Sequence, residues 1–142
     1  MSLMRALEPA SLELRIPANP GRAHVLRRRL RQWLEDTGAS SQEVFEMVMA
    51  ASEAFVNAVE HAQNPSLPEI EVTAKVVDRV VTLAVRDYGS WEWESRRPGG
   101  YGFLLMARFM HRVDVNSVEG DGTTVTLQRK LGVSRLRESM AT

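Results

Sequence analysis

The sequence contains no cysteine, which excludes disulfide frameworks, thiolate zinc sites and cysteine nucleophiles. It carries no net charge either, because eighteen basic side chains are balanced by eighteen acidic ones. Bulk attraction to nucleic acid or to an anionic membrane surface is therefore not available to it. No apolar run approaches the roughly 20 residues of a membrane span, and the N-terminus lacks a signal-peptide core. The expected location is the cytoplasm, with no direct nucleic-acid or membrane partner. Internal repeats and low-complexity segments are missing as well. What is present is an ordinary globular composition, 44% hydrophobic and 25% charged over 142 residues. That is enough for one domain, which at this size buries roughly 70% of its unfolded surface without a covalent staple.

Residues 1–10 read as a flexible leader and 132–142 as a tail without pattern, leaving 11–131 as the domain. Alternation of apolar and polar side chains predicts a strand over 11–16. Asn19 before Pro20 is a helix start and Gly38 a helix stop, so a helix is expected from Pro20 to about Thr37. Ser40-Ser41-Gln42-Glu43 fits a capping box for a second helix, which reaches Ala62 or Gln63 before the Asn64-Pro65 breaker. Two β-branched runs, 69–77 and 80–86, read as a hairpin across Asp78-Arg79. Residues 87–102 read as a loop, 103–110 as a short helix, and 113–118 with 123–131 as a last hairpin. This order predicts an α/β two-layer sandwich, a mostly antiparallel sheet covered on one face by helices.

Four segments carry residues suited to chemistry. In the second helix, Glu53, Asn57 and His61 recur every fourth residue and share one stripe, beside a stripe of Ala54, Ala58 and Ala62. Such a stripe is either the solvated side of an amphipathic helix, or a proton acceptor one turn from a carboxamide that can ligate a hard cation. Asp87 ends an apolar strand and Gly89 follows, which is either an ordinary turn or an acceptor for an amino group with space beside it for a flat ring. Gly99, Gly100 and Gly102 open into a helix, where free amide groups can receive an anion. The Lys-Ser/Thr ending of a P-loop is missing, and no Rossmann unit precedes the glycines. Thr123 follows Gly122 at a hairpin exit, where a β-branched residue needs no functional reason.

Taken in order, these segments resemble the histidine-kinase-like ATPase superfamily, whose fold is the Bergerat ATP-binding fold, also called GHKL. Glu53-Ala-x-x-Asn57-Ala-x-x-His61-Ala looks like its N box and Asp87-x-Gly89 like its G1 box. Gly100-x-Gly102-Phe-Leu-Leu looks like its G2 box, and Gly122-Thr123-x-Val125 like its final Gly-Thr motif. The resemblance spans about residues 11–131, and within the superfamily it is nearest to the RsbW/SpoIIAB-like anti-sigma factor serine kinases.

That resemblance implies ATP and Mg²⁺ as cofactors, and a role for each matching residue. Glu53 takes the place of the general base and Asn57 that of the Mg²⁺ ligand. Asp87 takes the place of the adenine acceptor, with Gly89 making room beside it. Gly100 and Gly102 correspond to the phosphate-contacting loop, and Thr123 completes the adenine pocket. His61 fits the pattern, but helix packing explains it equally. The implied partners are a sigma factor and a small anti-anti-sigma (STAS) protein carrying the acceptor serine, with a homodimer left open.

The chain departs from the family pattern at Trp91, which stands where the second glycine of Asp-x-Gly-x-Gly belongs. Together with Trp93 it can cover a nucleotide or serve a partner surface. Arg96 and Arg97 can supply charge to a γ-phosphate. The expected function is transcription regulation by partner switching. The alternatives are a nucleotide-binding regulatory module without phosphotransfer, and the kinase domain of a larger phosphatase–kinase regulator.

Overall fold

A computed structural model describes residues 8–91 and 101–132. Strand β1 (Leu12–Pro17) leads through a short 3₁₀ turn (Pro20–Arg22) to helix α1 (Ala23–Glu35) and helix α2 (Ser41–His61). Strands β2 (Glu69–Val77) and β3 (Val80–Asp87) follow, then helix α3 (Tyr101–Phe109) and strands β4 (Arg112–Val118) and β5 (Gly122–Lys130). The five strands form one antiparallel sheet in the order β1-β2-β3-β5-β4. This is the expected α/β sandwich.

One face of the sheet is apolar and lies under the helices. Ile70, Val72, Ala74 and Val76 of β2, Val81, Leu83 and Val85 of β3, and Val125 and Leu127 of β5 are all buried. They meet Leu26, Leu30 and Leu34 of α1 and Met47, Ala51, Ala54, Phe55 and Ala58 of α2 in one core cluster. Strict alternation follows from the two-residue period of a strand, so whichever residue shares register parity with this set must also be covered. For β5 the next such residue is Arg129, 1% exposed, and its charge is paired with Glu46 of α2, 3% exposed, at 3.1 Å. Arg129 also donates to the carbonyl of Phe109 at 2.7 Å, fastening the end of α3 to both.

Element ends differ from expectation where a local hydrogen bond competes with the helix. The first helix opens as a 3₁₀ turn because the Asn19 side chain accepts from the Gly21 amide at 2.8 Å. It ends at Glu35 rather than Thr37, and Gly38 at φ +85° turns the chain away. The capping box forms as read: Ser40 Oγ accepts from the Glu43 amide, and the Glu43 carboxylate accepts from the Ser40 amide. Helix α2 stops at His61 because the next residues leave to pair elsewhere, Gln63 bridging to Ser90. Asp78 and Arg79 both take positive φ, as a two-residue hairpin turn of the favoured twist requires. Ala10, within the stretch read as a leader, accepts a hydrogen bond from the Trp33 indole at 2.6 Å. Among the described residues, no helix is long and apolar enough to cross a membrane.

Candidate functional site

Asp87 is the last residue of β3 and shares parity with Val81, Leu83 and Val85, so its carboxylate points into the covered face. It is 1% exposed. A carboxylate so buried must be hydrogen-bonded or lose its charge. The Gly89 amide donates to Oδ1 at 2.9 Å, and the Trp91 indole Nε1–H donates to Oδ2 at 2.7 Å. Burial pushes the Asp87 carboxyl above the usual aspartate range, and the donors from Gly89, Trp91 and the Thr123 backbone, with Arg86 nearby, pull it part of the way back.

Strand β5 brings Thr123 directly opposite Asp87. The neighbouring Gly122 has φ +114°, and a Cβ there would collide with the Asp87 carbonyl oxygen. Glycine is therefore required for the two strand ends to lie this close. Thr123 is fully buried; its Oγ1 donates to the Gly89 carbonyl at 3.2 Å and lies 2.8 Å from Ser117 Oγ. Gly89 fills a second tight place. A Cβ on it would stand 2.7 Å from the Gln63 carbonyl oxygen and 3.0 Å from the Gln63 nitrogen. That closeness lets Gln63 and Ser90 exchange two backbone hydrogen bonds, of 2.9 and 3.1 Å, locking the end of α2 to the turn after β3.

Helix α2 thus delivers its stripe to the same corner. His61 packs against Trp91, ring centroids 5.4 Å apart and tilted by 51°. Asn57 and Glu53 lie one and two turns back along that stripe, steps of about 6 Å each. Both are half-buried, and among the described residues neither has a hydrogen-bond or ion-pair partner. An unengaged carboxamide oxygen beside an unengaged carboxylate is suited to a hard, mostly hydrated cation that also needs phosphate oxygens. Among the described residues no cluster of three or more acidic or histidine side chains could hold a metal by itself. The donor set fits a Mg²⁺ ion shared with a phosphate ligand.

The structure therefore brings Asp87, Gly89 and Thr123 together, and aligns Glu53 and Asn57 on the stripe that ends beside them. Gly102 lies in the first turn of α3. Gly100, Trp93, Arg96 and Arg97 lie outside the described residues. One expectation is corrected: Trp91 is not a partner surface, being 4% exposed and bonded to Asp87. Its amide also donates to Ser117 Oγ at 3.4 Å. Sequence reasoning misses Ser117, since nothing in an alternating edge strand marks it. A cavity of about 680 Å³ lies away from this corner, between α1 and α2, lined by Arg27, Arg31, Val44, Phe45 and Val48 among others. Glu53, Asn57, Asp87, Gly89 and Thr123 are not among its lining residues.

Comparison with known proteins agrees with the fold. Residues 16–129 match the family described as Histidine kinase-like ATPase domain. The chain is similar to an anti-sigma F factor of Clostridium acetobutylicum, 25% identical over 135 residues that cover 86% of this chain and 94% of the relative. It is similar to the serine-protein kinase RsbW of Staphylococcus epidermidis, 24% identical over 147 residues, 90% of this chain and 91% of the relative. Among solved structures, it resembles the crystal structure of the RsbU and RsbW domains of a Mycobacterium tuberculosis protein, with a TM-score of 0.70 and 28% identity. That match covers 87% of this chain and 33% of the solved one, so the chain spans about a third of that neighbour.

Proposed function

The chain belongs to the Histidine kinase-like ATPase domain family, and from that premise we propose that it is an ATP-dependent protein serine kinase that also sequesters a sigma factor. The observation that carries this reading is the convergence of the Glu53–Asn57–His61 stripe on the buried Asp87–Thr123 pair, over a fold shared with an RsbW domain. The names of the relatives, an anti-sigma F factor and a serine-protein kinase, support a sigma-factor partner and a serine acceptor. In this reading the serine lies on an anti-anti-sigma (STAS) protein, and transcription is regulated by partner switching in the cytoplasm.

The division of labour follows from the side chains. Asp87 accepts a hydrogen bond from the amino group of adenine, and the missing side chain of Gly89 keeps the backbone close behind it. Thr123 closes the same pocket. Gly100 and Gly102 take the phosphate-contacting role that the family resemblance implies for them. Asn57 would hold Mg²⁺ through its carboxamide oxygen, and the ion would neutralise phosphate charge. Glu53 takes the proton from the partner's serine hydroxyl as its oxygen bonds to the γ-phosphorus. The bond from that phosphorus to the β–γ bridging oxygen breaks, and ADP leaves with the electron pair. Protein groups do little covalent work in such a transfer; they position and stabilise charge.

Incubation with labelled ATP, Mg²⁺ and a candidate STAS partner, read out as phosphoserine, tests the reading. Glu53→Gln keeps the size of the side chain and removes the base. Phosphorylation should fall by at least ~10²-fold while ATP and partner binding survive. A second reading, a nucleotide-holding switch that transfers nothing, is favoured by the engagement of Asp87 with Trp91. It stands instead if wild-type protein binds ATP and a sigma factor and never labels a partner serine. The neighbour that carries RsbU and RsbW domains in one chain also leaves room for a role within a larger phosphatase–kinase regulator.

A further inference from the structure

Asp87 has two carboxylate oxygens, and both are taken from within the chain. Oδ1 receives the Gly89 amide and Oδ2 the Trp91 indole N–H. The indole is no loosely folded surface ring. It is 4% exposed, packs on His61, and is held by its own amide on Ser117, whose hydroxyl contacts Thr123. The Gln63–Ser90 bridge pins the residue before it. Indole and adenine share a shape, a flat fused ring of five and six members with an N–H donor at the edge, the ring N–H in indole and the exocyclic amino group in adenine. A carboxylate oxygen can accept more than one donor, so the competition is for space: the buried indole already stands 2.7 Å from Oδ2.

We infer that the Trp91 indole is an internal occupant of the base pocket, and that a purine nucleotide binds only by displacing it from Asp87 Oδ2. This rests on the nucleotide-binding reading and adds a residue that sets affinity. Trp91 reduces the apparent affinity by the fraction of molecules in which it is bound to Asp87. Its removal therefore tightens binding, whereas removing a tryptophan that stacks on the base or merely supports the fold would weaken it. The other contacts of Asp87 are untouched by that exchange, since Gly89 continues to serve Oδ1.

Calorimetric titration of Mg·ATP into wild type, Trp91→Phe and Trp91→Ala gives the first readout. Trp91→Phe keeps an apolar ring and loses the donor; Trp91→Ala vacates the pocket. Losing a hydrogen bond to a charged group should tighten Kd by about tenfold or more in the alanine variant, with phenylalanine between the two. The second readout needs no pocket substitution. In protein labelled with 5-fluorotryptophan, the resonance absent from Trp91→Phe belongs to Trp91, and saturating Mg·ATP should shift it in the otherwise wild-type chain. Wild type that fails to bind while Trp91→Ala binds would also support displacement. Equal or weaker binding by Trp91→Ala, or an unmoved Trp91 resonance in wild type that binds ATP, overturns the inference and leaves the nucleotide reading intact. Absence of binding in all three folded proteins overturns both.

Discussion

At the scale of single residues, the site depends on two glycines that no other residue can replace. Gly122 is needed for its left-handed φ as well as for space, and Gly89 for space alone. Gly89→Ala forces its Cβ to 2.7 Å from the Gln63 carbonyl oxygen, a backbone atom that cannot swing aside. The Gln63–Ser90 bridge must open, and we expect a loss of roughly 1–3 kcal/mol in urea unfolding, the usual cost of overpacking a tight site. Unchanged stability would show that α2 and the turn after β3 are not clamped as described. Asp87 and Gly89 are legible in the sequence in one short motif, and Thr123 beside Gly122 in another. Trp91 and Ser117 are not, because what they do depends on what burial brings beside them. A buried carboxylate with an indole four residues later is a signal only once Asp87 is known to face the core.

At the scale of elements, helix α2 is fixed at its start by its first turn. Ser40 caps it, and Glu43 reaches back to the Ser40 amide with one oxygen and to the Gly132 amide with the other, at 2.9 and 2.7 Å. Burial pushes the Glu43 carboxyl up, but the Ser40 and Gly132 amides, the Ser40 hydroxyl and the charge of Arg129 outweigh it and hold it below the usual glutamate range. A carboxyl with a depressed folded-state pKa contributes stability above its unfolded value, and that contribution disappears as pH falls through the lower folded value. Ser40→Ala should cost about 1 kcal/mol. Glu43→Gln should destabilise at neutral pH and flatten the acid limb of a stability–pH curve. A variant whose acid limb matches wild type would contradict this role of Glu43.

The same elements mark the reach of local signals. Alternation and caps are local, so the 69–77 strand and the capping box can be read to the residue. The ends of α1 and α2 differ by one or two residues because Gly38 and the Gln63–Ser90 bridge compete with the last turn.

For the whole molecule, the layers are legible in the sequence and the strand order is not. Helices over an antiparallel sheet follow from the succession of periods. That β5 lies between β3 and β4, putting Thr123 opposite Asp87, is decided by long-range pairing that no local pattern announces. Nor does the sequence announce that one ion pair, Arg129–Glu46, joins α2 and β5 inside the core while Arg129 also holds the end of α3. The β3–β5 pairing and the Gln63–Ser90 bridge bring the Asp87 end of the sheet and the end of the α2 stripe into one corner, and the proposed function requires that corner to be a nucleotide site. Calorimetric titration of ATP with and without Mg²⁺ into wild type, Asp87→Asn and Asn57→Ala tests it most directly. An amide offers one acceptor where the carboxylate offers two, so Asp87→Asn should weaken binding about ten- to hundredfold in both conditions. Asn57→Ala should remove the gain that Mg²⁺ brings and leave metal-free affinity as in wild type. Equal ATP affinity in wild type and folded Asp87→Asn would contradict a nucleotide site at this corner.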